Sequence, residues 1–205
     1  MKSLPDVFYP IAGTADEVAL AVGAGARFIQ LRNKSEDEVL LREEIRSALK
    51  VCRFHGAILV VNDHWELALA EKAPYIHLGQ EDMQGADIDR IHKAGVKLGI
   101  STHDHTELDR ARAVNPAYIA LGPVWKTKLK VMPWAPQGLG RVGEWARLIA
   151  PVPLVAIGGV TVERARACIE AGAAAVSVVS DVFRNGDIAE RVHLWRKALD
   201  NGGVS

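Results

Sequence analysis

What this sequence lacks already narrows its class. No stretch of its 205 residues approaches the roughly 20 consecutive apolar residues that a membrane-spanning helix requires. Basic and acidic residues balance at 25 each, so no net charge draws the chain to nucleic acid or to an acidic membrane. There are only two cysteines, Cys52 and Cys168. Both fall in segments of helical spacing, without metal-ligand spacing, and are expected to be buried free thiols. After Lys2, the residues Ser3-Leu4-Pro5-Asp6 contain no apolar run, so no signal peptide is expected and the protein is read as cytoplasmic. A neutral chain can still gather positive charge in one cleft, and that question is local.

What is present is an ordinary globular composition, 49% hydrophobic and 24% charged, in a length suited to one domain spanning residues 1–205. Short β-rich runs alternate with amphipathic segments. Strands are expected at Val7–Gly13, Arg27–Asn33, Ala57–Asp63, Tyr75–Gly79, Lys97–Thr102, Ala117–Gly122, Pro153–Gly159 and Ala175–Ser180. Helical spacing lies between them, as in Glu38-Leu41-Ile45-Leu49 and Trp65-Leu69. Crossover helices return the chain to the same end of a sheet, so the strands are parallel. Eight such units in this length predict an α/β fold, a single (β/α)8 TIM barrel. An open doubly wound sheet would call for GxGxxG after the first strand, where Ile11-Ala12-Gly13-Thr14 stands instead. Ala-Gly pairs before several strands suit left-handed helix ends. One loop, Pro123 to Gly138, is long and rich in Lys, Pro and Trp, as functional lids often are.

In a barrel the strand C-terminal ends form the active face. Strand two ends Gln30-Leu31-Arg32-Asn33-Lys34, and period-two alternation sets Gln30, Arg32 and Lys34 on the face opposite Ile29 and Leu31. Two cations directed inward need an anion, either a substrate or an interior carboxylate such as Asp63. Strand three ends in Asn62-Asp63, and strand four leads to Asp82. Two carboxylates facing cations suit Mg2+ bridging to phosphate oxygens, although an isolated Asp is more often a cap or turn residue. On strand five, Ser101 can donate to a phosphate or a ring nitrogen, and His103 reads equally as an acid–base group or a rim residue. After strands seven and eight, Gly158-Gly159 and Val179-Ser180 occupy positions where barrels commonly bind phosphate through backbone amides.

These segments together resemble the thiamine phosphate synthase family. The likeness runs from Tyr9 to about Ser180. It is carried by Ile29-Gln30-Leu31-Arg32-Asn33-Lys34, Val61-Asn62-Asp63, His77-Leu78-Gly79-Gln80-Glu81-Asp82, Leu98-Gly99-Ile100-Ser101-Thr102-His103, Leu121-Gly122-Pro123-Val124 and Val155-Ala156-Ile157-Gly158-Gly159. The resemblance implies a transferase of thiamine biosynthesis that condenses hydroxymethylpyrimidine diphosphate with thiazole phosphate. Gln30, Arg32, Lys34, Asn62, Ser101 and Lys130 would hold the diphosphate substrate, and Asp63 and Asp82 the magnesium. Gly159, Val179, Ser180 and Thr127 would hold the thiazole phosphate. Arg32, Lys34, Ser101 and Lys130 are the expected catalytic residues, acting on a dissociative loss of diphosphate. The partners implied are small molecules, with neither nucleic acid nor membrane; self-association into a homo-oligomer stays open.

The chain departs from the family's Pro-Thr-x-Thr-Lys run after Gly122-Pro123. It reads Lys126-Thr127-Lys128-Leu129-Lys130, so a leucine replaces the second threonine and removes one hydroxyl from the phosphate site. Lys126 or Lys128 could substitute electrostatically. The resemblance leaves two other readings open: a related barrel similar to thiazole tautomerases, which would use His103, and a non-catalytic paralogue that binds thiamine precursors.

Overall fold

The computed structural model describes residues 3–126 and 134–200. In it β1 (Phe8–Ala12), β2 (Phe28–Leu31), β3 (Ile58–Asn62), β4 (Tyr75–Leu78), β5 (Lys97–Thr102), β6 (Tyr118–Leu121), β7 (Leu154–Ile157) and β8 (Ala175–Val178) close into one barrel in sequence order. All eight neighbouring pairs are parallel, and β8 closes on β1 with Tyr9 opposite Ser177. Every expected strand is present, most of them trimmed at the ends where the chain turns away from its neighbours.

The crossovers are α1 (Ala15–Gly23), α2 (Glu38–Phe54), α3 (Trp65–Ala70), α4 (Gln80–Gly85), α5 (Ile88–Lys93), α6 (His105–Ala113), α7 (Gly138–Leu148), α8 (Val162–Glu170), α9 (Ser180–Phe183) and α10 (Ile188–Asp200). Several of their starts are set by side-chain caps. Thr14 accepts from the Glu17 amide, Asp37 from those of Val39 and Leu40, Asp87 from Arg90 and Asp104 from Glu107. Each such cap is worth about 1 kcal/mol. The β4–β5 crossover carries two helices, so Asp82 lies in the first turn of α4, just past the strand. Among the described residues no helix is long and apolar enough to cross a membrane.

Strand alternation divides the apolar residues into two sets. Ile29, Leu31, Leu59, Val61, Ile76, Leu98 and Ile119 face the helices, together with the buried thiols Cys52 and Cys168. Burial pushes both thiols up to about 12, so they are protonated and inert. Tyr9, Phe28, Val60, Tyr75, Tyr118, Ala120, Val155 and Ala175 fill the barrel interior. There the Tyr9 and Phe28 rings stack at 4.2 Å, and Tyr75 and Tyr118 meet Phe28 edge-on. Gly99 makes this possible, because a Cβ at that position would stand 2.1 Å from Cζ of Tyr118.

Candidate active site

The strand C-terminal ends surround a cavity of about 760 Å³. It is lined by Arg32, Ser101, Gly159, Val179 and Ser180, all singled out from the sequence, and by His103, Lys126, Arg164, Ser177 and Arg184. Five strand ends thus converge on one space, from β2, β5, β6, β7 and β8. Arg32 lies one residue past β2, its amide donating to the Ala12 carbonyl at 2.8 Å and its side chain exposed.

A second group lies on the β2–β4 side. Lys34 Nζ donates to Asp63 Oδ2 at 2.6 Å, so the interior carboxylate named from the sequence does pair with a cation of strand two. Asp63 takes a left-handed backbone (φ 62°) immediately after β3, and the Asp82 carboxyl lies beside it. Burial alone would raise the Asp63 carboxyl; the hydrogen bond and charge of Lys34, with the Asp82 contact, outweigh it and hold Asp63 below its ordinary value. Asp82 is displaced upward, first by burial and then by the Asp63 charge. Two adjoining carboxylates, one favouring ionisation and one disfavouring it, form a site that gains from a hard cation. Magnesium accepts one or two carboxylates and completes its shell with water and phosphate, so Asp63 and Asp82 fit it. Among the described residues no cluster of three or more His, Cys, Asp or Glu side chains could hold a metal by protein ligands alone.

The side chains of Gln30 and Asn62 lie below this rim. Gln30 Nε2 donates to the Tyr9 hydroxyl at 2.7 Å. Asn62 is buried, and its Nδ2 donor has no protein partner, which leaves it available to a bound molecule. Ser101 Oγ lies 2.7 Å from Nε2 of His77, and Nδ1 of that ring lies 2.9 Å from the Tyr118 hydroxyl. Burial pulls the His77 imidazole down to about 4; the Asp63 charge opposes this, and the Arg32 charge reinforces it.

The β7–β8 side is built differently. Gly158 (φ 91°) and Gly159 (φ 65°) form a left-handed pair that non-glycine residues rarely adopt. A Cβ on Gly159 would also stand 2.8 Å from both the Lys126 carbonyl oxygen and Trp125 Cβ. The loop after β6 is laid against this turn: Val124 and Trp125 amides donate to the Ile157 and Gly158 carbonyls at 2.9 and 3.0 Å. Arg164 joins the two, donating to the Gly159 carbonyl at 2.8 Å with its guanidinium 5.2 Å from the Trp125 ring.

His103 is a rim residue engaged on both faces of its role. Its Nδ1 lies 2.8 Å from Glu107 Oε2, and its ring stacks on Trp134 at 3.9 Å. Thr127 and Lys130, with Lys128 and Leu129, lie outside the described residues. The sequence reading overlooked Tyr9, His77 and Tyr118 as site residues. Their inward parity on β1, β4 and β6 was visible, but their mutual contacts span up to 109 positions.

Comparison with known proteins agrees with the fold and with the family resemblance. Residues 9–182 match the family model described as thiamine monophosphate synthase. A thiamine-phosphate synthase of Rhizobium etli is 50% identical over 193 residues, covering 94% of this chain and 95% of that protein. One from Cronobacter sakazakii is 42% identical, covering 93% and 87%. Among solved structures, thiamine phosphate pyrophosphorylase from Pyrococcus furiosus superposes with a TM-score of 0.82 at 25% identity, covering 95% of each chain.

Proposed function

The chain belongs to the thiamine monophosphate synthase family, and we propose that its rim runs the synthase reaction with the residues read from the sequence. The activity is that of a transferase: hydroxymethylpyrimidine diphosphate and thiazole phosphate give thiamine phosphate and diphosphate. In this reaction the bond from the pyrimidine methylene carbon to the diphosphate oxygen breaks, and a bond from that carbon to the thiazole nitrogen forms. Little proton transfer is needed. The demand is to neutralise charge growing on the departing diphosphate.

The observation that carries the assignment is the Lys34–Asp63–Asp82 cluster beside Arg32 and Ser101, on the rim across from a glycine turn. Gln30, Arg32, Lys34, Asn62, Ser101 and Lys130 hold the pyrimidine diphosphate, with Arg32, Lys34 and Lys130 supplying positive charge. Asp63 and Asp82 hold Mg2+, which when bound neutralises leaving-group charge. Gly159, Val179 and Ser180, with Thr127, bind the thiazole phosphate, where backbone N–H groups suit a monoanion or dianion. Two free thiols agree with a reducing cytoplasm. The tautomerase reading gains nothing from His103, whose ring is already held by Glu107 and Trp134.

The test is to mix both phosphorylated precursors with magnesium and to follow thiamine phosphate and released diphosphate. Both should form in equal amounts. Proton exchange on the thiazole alone would point to a tautomerase, and binding without either product to a non-catalytic paralogue.

A further inference from the structure

Five side chains from five strands form one unbranched hydrogen-bonded chain across the barrel: Gln30, Tyr9, Tyr118, His77 and Ser101. Its four links measure 2.7, 2.7, 2.9 and 2.7 Å. We propose that this chain has one polarity, from Gln30 to Ser101, and fixes the Ser101 hydroxyl as a hydrogen-bond donor to an acceptor atom of the pyrimidine substrate. The proposal rests on the role given to Ser101 above. Tyr9, Tyr118 and His77 are then positioning residues, since none of them lines the cavity.

The polarity follows from counting hydrogens. Gln30 presents its amide N–H to the Tyr9 oxygen, so Tyr9 accepts there and directs its own hydrogen to Tyr118. Tyr118 in turn directs its hydrogen to Nδ1 of His77. A neutral imidazole has one donor and one acceptor nitrogen. With Nδ1 accepting, the ring proton sits on Nε2 and is donated to Ser101 Oγ. The hydrogen of Ser101 is the one left over, and Ser101 lines the cavity. Any mixed order would place two hydrogens in one link, or none, inside a packed barrel where no other partner is at hand. Full reversal would require Gln30 to turn its carbonyl to Tyr9, and would make Ser101 an acceptor. The rings have no freedom to escape this order. Tyr118 lies over Gly99, and His77 stacks on Tyr118 with centroids 5.6 Å apart and planes 21° apart.

The tautomer of His77 can be read in the native protein itself. In full-length protein labelled with 15N-histidine near neutral pH, long-range 1H–15N spectra should show His77 protonated at Nε2; His77→Gln assigns the signal. Ser101→Ala and Tyr118→Phe should each lower kcat about tenfold, with KM changed less than about twofold, and the double variant should be no worse than Ser101→Ala. Ser101→Thr, which keeps the hydroxyl, should restore the dependence on Tyr118. A proton on Nδ1, or losses that multiply in the double variant, would overturn the relay while leaving the site assignment intact. A silent Ser101→Ala would instead overturn the assignment of Ser101, and the relay's purpose with it.

Discussion

The two sides of the rim solve the same problem, holding phosphate groups, with different materials. The β2–β4 side uses side-chain charge: Arg32, Lys34, Asp63 and Asp82, with Lys34 hydrogen-bonded to Asp63 and the two carboxyls tuned against each other. The β7–β8 side uses backbone: a Gly158-Gly159 turn, the Val179-Ser180 segment, and a loop pressed so close that no Cβ fits. Side-chain charge can be adjusted by neighbours and by a metal, as neutralising a leaving group demands. A backbone cradle has fixed geometry and no pKa, and it suits a phosphate that stays attached throughout.

This contrast can be broken in four ways. The largest effect should come from Asp63→Ala, which should lower turnover by at least about 10²–10³-fold, as loss of a preorganised electrostatic contact does, without unfolding the barrel. Near-normal turnover, with an unchanged circular dichroism melt, would remove the magnesium assignment. Acid should then act on the side-chain side alone. His77 has its folded pKa depressed to about 4 from an ordinary 6.5, so its contribution is fully present above pH 6.5 and is lost as pH falls toward 4. The loss amounts to about 3 kcal/mol of unfolding free energy. Urea midpoints across this window should fall for the native chain, and less for His77→Gln; equal slopes would contradict the neutral buried ring.

On the backbone side, Gly159→Ala must enter a left-handed conformation against the Lys126 carbonyl, a strain of about 1–2 kcal/mol. We expect the KM for thiazole phosphate to rise roughly tenfold, with that for the pyrimidine diphosphate nearly unchanged. Equal rises in both would mean that the turn serves both substrates. The smallest effect is assigned to Lys126→Ala. Lys126 lines the cavity and could replace the hydroxyl lost at Leu129. Its removal should raise the thiazole phosphate KM about threefold and weaken its salt dependence, and an unaltered KM would rule out this compensation.

The barrel was legible because its signals are local. Each strand is a short apolar run, most crossovers are bounded by a cap or a left-handed glycine, and alternation alone separated Gln30 from Ile29 and Leu31. Candidate site positions at the rim were legible for the same reason: Asp63, Ser101 and Gly159 each lie within two residues of a strand's last residue, where parity or turn chemistry marks them. What the sequence did not disclose depends on partners distant along the chain. The short helix α4 directly after β4, which takes Asp82 into its first turn ahead of the crossover helix α5, is one such feature. The pairing of Lys34 with Asp63 was one of two options until the distance between them was seen. The Tyr9–Tyr118 contact joins residues 109 positions apart and rests on the absence of a side chain at Gly99.

The aromatic packing beneath the cavity has a further consequence, for traffic. Tyr9, Phe28, Tyr75 and Tyr118 fill the barrel interior rather than lining a pore. Two reactants and two products must therefore share one doorway. With the far end plugged, the open rim is where the chemistry and the exchange with solvent both take place.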